Sequence, residues 1–469
     1  MVSKKIGILL LVVLLITTLS LYLLESNTPL SKYNLSITLS IVSGALVVFG
    51  LCKEDIDLLK SNFLKISTMF IIGFVLVHFF EYLAYIVGEH EKIIDIEYID
   101  SNYVNEAALC SCACLIVFLI GYLYENKPFK NVTIKRKHNK LLLEWLMLLC
   151  LIVFYYSAGS HYFHGGYGDV LNNIGLSLPA ILSQTLLQAS QITIAIVVIH
   201  NSNIKLTIKE YVNQYSFIYY VTLTIYTYLV ISSGDRGPLF QVGICYITPF
   251  FIINKSKLKL LPAVFLISGA ALFFALLGTV RAMDGDLSIT KIENAQKFRS
   301  QRFEGNNVIF TSTAELSNVV RAYHVLYYYS KEYGYIYGLG FGNQLLGIIP
   351  GLRLLIYPLF GIDDKEVTTA IITTKLLNKD HGMGSTCVGD TFFNFGLIGT
   401  LIIFFVFGMF VRKMDLSSFI NIGSINPFWS CTIITYFMFA IYIGRGYLSS
   451  PINLLAYSYA LYCLNSLKK

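Results

Sequence analysis

Residues 216–253 read SFIYYVTLTIYTYLVISSGDRGPLFQVGICYITPFFII. Two long apolar runs flank a turn, SSGDRGPLFQ at 232–241, in which Asp235 and Arg236 stand side by side. A helix needs about 20 apolar residues to cross about 30 Å of hydrocarbon, and each run approaches that length. An arginine at bilayer depth costs roughly 2.5–3.5 kcal/mol on insertion scales. The stretch therefore reads as two membrane helices joined by a charged turn, and the charge must offset its own cost.

The same pattern extends along the chain. Apolar residues make up 55% of the 469 and charged residues 13%, and the mean hydropathy is +0.63. These values exclude a soluble core-and-surface protein. Twelve apolar runs qualify as helical spans, at 6–24, 35–52, 66–88, 107–124, 141–157, 178–199, 215–233, 238–253, 260–280, 390–411, 427–444 and 451–466. The first follows Lys4 and Lys5 like a signal peptide, but no small-residue cleavage site follows it, so it reads as a retained helix. The expected fold is an all-α polytopic membrane protein: helices over 1–280, one large extracytoplasmic loop over 281–389, and three further helices over 390–469.

Orientation follows from Lys and Arg in the loops. With the N-terminus cytoplasmic, the short loops hold 20 basic residues inside and 4 outside. Both termini are then expected in the cytoplasm, and the net charge of +7 reflects topology, with no call for nucleic acid. Lysine and arginine divide differently across the membrane. By this topology 18 of 26 lysines lie inside, whereas seven of nine arginines lie outside. Topology asks only for positive charge; a planar guanidinium fork is suited to phosphate or carboxylate. The outer face reads as built for an anion.

The segment 281–389 is too long for a simple connection, and loops of that length are usually functional. Ser312 and Glu315 have capping-box spacing and open a helical stretch in which Asn318, Arg321 and His324 recur every three residues. GLGFGNQLLGIIPGLRLLIYPLFG at 338–361 is apolar yet broken by six glycines and two prolines. It reads as short interfacial helices or a re-entrant hairpin. The nine cysteines give no disulfide framework, with only Cys387 in the long segment. CSCAC at 110–114 sets its sulfurs two apart, on different sides of a helix, and reads as packing.

Each candidate site residue has a structural reading and a functional one. Asp235 can cap the helix that follows, with Pro238 in its first turn, while Arg236 either snorkels to headgroups or holds a phosphate at the outer mouth. Gln184, Gln188 and Gln191 share a helical face, as do His78 and Glu81. Both sets serve either as interhelical hydrogen-bond glue or as the lining of a cavity for a hydroxyl-rich ligand. HYFHGGYGD at 161–169 reads as a solvated aromatic loop. Arg281 and Arg445 each follow a span directly, as anchors or as anion ligands. In DHGMGSTCVGDTFFNFG, at 380–396, His381 is a candidate general base, and Asp390 is either a second base or the N-cap of the tenth span.

With these residues in place the chain resembles the bacterial O-antigen and capsule repeat-unit polymerases (Wzy-type). The likeness covers the overall plan and is sharper at SGDRGPLF and at HGMGSTCVGDTFFNFGLIG. Asp390 stands where the family pattern suggests a glutamate. The resemblance implies a GT-C-class glycosyltransferase of the bacterial cytoplasmic membrane that uses lipid-linked donors and no cofactor. The donor would be a glycan on undecaprenyl pyrophosphate and the acceptor a single lipid-linked repeat unit. A chain-length regulator and a flippase would be working partners. On this reading Arg236, Arg281, Arg321 and Arg445 bind the pyrophosphate, and His324, Gln184, Gln188, His78 and Glu81 contact glycan. His381, Asp390 and Asp235 serve the chemistry, and no metal is required if guanidinium groups neutralise the leaving group. An O-antigen ligase with the same donor, or a flippase of lipid-linked oligosaccharide, is the alternative.

Overall fold

The computed structural model describes residues 2–25, 28–54, 56, 59–60, 62–89, 102–125, 127–132, 137–163, 176–202, 205–233, 235, 237–259, 262, 317–378 and 382–467. In chain order its helices are α1 (Lys4–Leu24), α2 (Lys32–Leu51), α3 (Ile66–His78), α4 (Phe80–Ile86), α5 (Asn102–Tyr124), α6 (Lys140–Ala158) and α7 (Ser160–Phe163). Then follow α8 (Leu178–Asn201), α9 (Ile208–Val212), α10 (Phe217–Ser233) and α11 (Gly237–Ile253). The third group is α12 (Val320–Tyr333), α13 (Leu339–Leu346), α14 (Leu352–Phe360), α15 (Asp364–Val367) and α16 (Thr369–Leu376). The chain closes with α17 (Cys387–Ile420), α18 (Pro427–Phe439) and α19 (Ile452–Leu464). Among the described residues the only sheet is an antiparallel pair of two-residue strands, Lys137–His138 with Ser466–Leu467.

Capping chemistry explains where many helices start. Ser3, Ser31, Asn139 and Ser177 each accept a hydrogen bond from the backbone two or three residues into the helix they precede, which satisfies an otherwise orphaned donor. Thr207 and Glu210 form a complete capping box at α9. The chain is thus an α-helical membrane protein. Among the described residues six helices (α1, α2, α5, α6, α8, α17) are long and apolar enough to cross a membrane, and α3 with α4, bent by 44°, make a seventh candidate. Eleven of the twelve apolar runs fall on helices; the run at 260–280 lies outside the described residues except for Pro262.

Two runs depart from single spans. The run at 66–88 breaks at Phe79, between α3 and α4. The run at 427–444 stays α-helical only to Phe439 and passes into turns and a 3-10 turn, Ile443–Arg445. Close backbone approach accounts for this second departure. A Cβ at Gly73 would lie 2.0 Å from the Ile441 carbonyl oxygen, and one at Gly444 3.0 Å from that of Gly73. Irregular backbone at such depth is tolerated where protein covers it.

At the centre α5 lies against α17. A Cβ at Gly121 would meet the Phe405 oxygen at 2.1 Å, and one at Gly408 the Phe118 oxygen at 2.2 Å. The two backbones touch because neither glycine carries a side chain. Cys110, Cys112 and Cys114 are all fully buried. Cys112 leaves on a side of its own beside Thr18, but Cys110 and Cys114, one turn apart, share a face and interact, which corrects the reading of three separate directions; all three are packed in the enclosed α5.

The chain ends meet at one face of the bundle. Val2 bridges Cys52, Asn131 bridges Ile425, and the strand pair ties Lys137 to Leu467. At the same face a charged network holds α17. Arg412 donates to both oxygens of Glu54 at 2.7 and 2.8 Å. Asp415 accepts from the backbone amides of Ile66 (2.8 Å) and Ser67 (3.3 Å) and from the Tyr122 hydroxyl (3.0 Å). A carboxylate at the start of α3 satisfies orphan amides and complements the helix dipole.

Candidate functional site

The opposite end of α17 holds Asp390 and, close by, the predicted residues of α3, α4 and α12, and the beginning of α17 organises this region. Thr386, not Asp390, caps α17, accepting from the Gly389 amide at 3.0 Å. Asp390 is one turn in, which corrects the capping reading and leaves its carboxylate for other work. The helix breaks at Gly396, whose φ of 64° and ψ of −171° suit glycine. The break frees the Phe393 carbonyl, which accepts from Ile336 N–H at 3.1 Å. Asn394 secures the same turn: its amide nitrogen donates to the Asp390 carbonyl at 2.8 Å, and its oxygen accepts from Gly340 N–H at 2.9 Å. The NFG stretch is therefore a docking point for α13.

Around Asp390, which is 1% exposed, four elements converge. Oδ1 accepts from the Thr369 hydroxyl of α16 at 3.1 Å. The Gln344 amide of α13 also reaches the carboxylate. Oδ2 has no hydrogen-bond partner. Tyr447, from the irregular 440–451 segment, sits beside Thr369 and within electrostatic reach of both Asp390 and Arg353, and burial pushes its phenol pKa up. Arg353 lies over Gly347, where a Cβ would come within 2.1 Å of Nη2. Tyr357 donates to Asn343, which donates to Thr368 at 2.8 Å, holding α13 against α14 and α16. A buried carboxylate oxygen without a donor is costly unless a ligand supplies one. The arrangement can accept a hydrogen bond, or a proton, from a ligand hydroxyl, with the Arg353 guanidinium within electrostatic reach of Tyr447.

A second cluster brings together His78, Glu81, Arg321 and His324. Glu81 is fully buried and accepts from Ser317 at 3.1 Å, and Arg321 reaches it at 3.9 Å. The Arg321 side chain is 29% exposed, so its first partner here is a protein carboxylate. His324 pairs through Nε2 with the Tyr82 hydroxyl at 2.8 Å and stacks on that ring. Burial, with Arg321 nearby, pushes the His324 imidazole down to about 3. His78 lies between Ser111 (3.4 Å) and Cys387 (3.9 Å). Farther along α12, Tyr327 donates to Glu106 at 2.9 Å and Lys331 pairs with it at 3.0 Å. The described part of the long segment is thereby anchored to α4 and α5.

The glutamines form a third group. Gln184 donates to Tyr226 (3.1 Å), Gln188 to Gln241 (3.0 Å), and Gln191 to Tyr219 (3.3 Å) and the Val242 carbonyl (3.1 Å). These bonds join α8 to α10 and α11. Asp235 accepts from Tyr162 at 3.3 Å and lies near Tyr226. Arg445 occupies the 3-10 turn packed on α3, two residues before Tyr447. Arg236, Arg281, His381 and the Ser312 to Glu315 capping box lie outside the described residues; so do Asp284 and Asp286, an Asp-x-Asp pair of the long segment that the site reading above leaves out.

Sequence reasoning missed Gln344, Thr369 and Tyr447, which have no charge and no periodic pattern to mark them. Arg353 was visible as one of the outer arginines, and only its neighbours single it out. Among the described residues no three His, Cys, Asp or Glu side chains form a group able to hold a metal ion. Comparison of the chain with protein-family models, curated proteins and solved structures gives no match.

Proposed function

We propose that the protein polymerises oligosaccharide repeat units carried on undecaprenyl pyrophosphate, at the outer face of the bacterial cytoplasmic membrane. In this reading the twelve apolar runs are spans of a GT-C-like enzyme, and the face bearing Asp390 is extracytoplasmic. The observation that carries the proposal is the open oxygen of Asp390, buried near Tyr447, which in turn lies within electrostatic reach of Arg353. An acceptor hydroxyl donates to Oδ2 and attacks the donor's anomeric carbon. The bond from that carbon to the pyrophosphate oxygen breaks, and undecaprenyl pyrophosphate leaves with its charge balanced by arginine. Arg353 joins Arg236, Arg281 and Arg445 as a candidate for that balance. Arg321, already facing Glu81, is better suited to positioning.

The test uses purified protein with purified lipid-linked repeat units. The expected product is a ladder of glycans spaced by one repeat. Transfer of glycan to a different acceptor without a ladder would assign a ligase, and movement across a vesicle membrane with no new bond a flippase. Topology is tested separately by thiol labelling from outside, which should reach a cysteine placed at Ser300 and miss one placed at Lys137.

A further inference from the structure

Residues 338–361 form two short helices, α13 and α14, each with two unlike sides. The polar side faces the bundle through Gly340, Asn343, Gln344 and Arg353, as described above. The other side is bare: Leu345 is 53% exposed, Leu355 70%, Leu359 79% and Phe360 72%. So much contiguous apolar surface does not face water in a stable protein without a partner.

The adjoining surface indicates what covers it. On α17, Phe395, Ile398, Ile402 and Val406 recur at helical spacing and are 36–75% exposed. This is the lipid-facing stripe expected of a membrane-crossing helix. Phe341 of α13 packs on Phe395, the upper end of that stripe, with ring centroids 5.3 Å apart. Gly338 also lies against Phe395, whose ring a Cβ there would meet at 3.0 Å. The bare side of the two helices thus continues the lipid-facing stripe.

We propose that residues 338–361 are a membrane-inserted hairpin whose bare side lies in the hydrocarbon of the leaflet at which α17 begins, while its polar side walls the Asp390 cluster. The occupant of the bare side is lipid. A ligand of this cluster is then met at headgroup depth, so the class it suits carries a polar head on its own hydrocarbon anchor; this last step, and the naming of the leaflet as the outer one, rest on the polymerase reading. The glycines and prolines that break the stretch keep it too short to cross, and an amphipathic pair of this kind lies along an interface.

Site-directed spin labelling tests the placement without reference to activity. The nitroxide is carried by Leu359→Cys in full-length protein with Cys52→Ser and Cys463→Ser, since the other seven cysteines are buried. In vesicles of phosphatidylethanolamine and phosphatidylglycerol, oxygen should relax the label more than a water-soluble nickel chelate does. A double substitution, Leu355→Glu with Leu359→Glu, should lower ladder yield by about tenfold or more at equal protein level, because two charges replace apolar side chains that face lipid. A label relaxed mainly by nickel, or an unchanged ladder yield, overturns the proposal. If the label is in lipid but the parent protein makes no ladder, the polymerase reading fails and the hairpin stands.

Discussion

Asp390 and Asp415 stand at opposite ends of α17, both buried, and their carboxylates are held in opposite ways. Both oxygens of Asp415 are occupied, by two backbone amides and a tyrosine hydroxyl, and the neighbouring Arg412 is clamped by Glu54. Asp390 has one oxygen engaged and one open. A satisfied buried carboxylate fixes the helices that donate to it, whereas an open one keeps capacity for a ligand. The Asp415 end is locked by satisfied bonds, whereas the Asp390 end, where the long segment docks, keeps an acceptor open.

The sharpest way to break this contrast is Asp390→Asn. It should lower polymerising activity by about 10²–10⁴-fold, the range of a lost general base, while the protein accumulates and unfolds like the parent. Equal loss of fold would make Asp390 a second Asp415. Arg412→Ala should do the reverse: activity per folded molecule is retained, but thermal stability in detergent falls by roughly 1.5–3 kcal/mol, since the partly exposed Glu54 loses its charge-assisted hydrogen bonds. A stability change within experimental error would show that Glu54 finds water once its partner is gone.

A smaller effect is expected from His324. Its imidazole is held neutral in the fold, down to about 3, whereas an unfolded chain takes up a proton near 6.5. Its contribution to stability is therefore complete above 6.5 and is lost as pH falls from there toward 3. Melting temperature measured across that range should drop less steeply in His324→Gln than in the parent; parallel curves would refute the assignment. Least of all should change with EDTA, which is expected to leave ladder yield unaltered if arginine alone balances the leaving group. Loss on chelation, restored by a divalent ion, would turn attention to Asp284 and Asp286.

The helices were legible because a membrane imposes a coarse and strong pattern, and eleven of the apolar runs lie on helices as expected. The breaks at Phe79 and after Phe439 were not, because they come from backbone contacts such as that of Gly73 with Ile441, between segments remote in sequence. At the site, Asp390 stood out as a charge beside an apolar run. Its role as one turn past the cap depended on Thr386, a residue type that caps in many settings without leaving a charge to notice. The grouping of Glu81 with Arg321, and of Gln188 with Gln241, needed tertiary packing, since helical spacing relates residues only along one helix. Tyr447 and Thr369 bear on Asp390 through neighbouring elements alone.

The glycine crossing of α5 and α17 also governs the order of events during synthesis. The ribosome delivers α5 early, with Asn105 and Glu106 at its head and cysteines around its middle, but the helix that covers Gly121 begins only at Cys387. For most of translation α5 waits in the membrane with one flank uncovered. A nascent chain stalled before Cys387 presents that flank to whatever chaperone or protease surveys the bilayer. Covering of that flank is thus tied to completion of the same helix that carries Asp390.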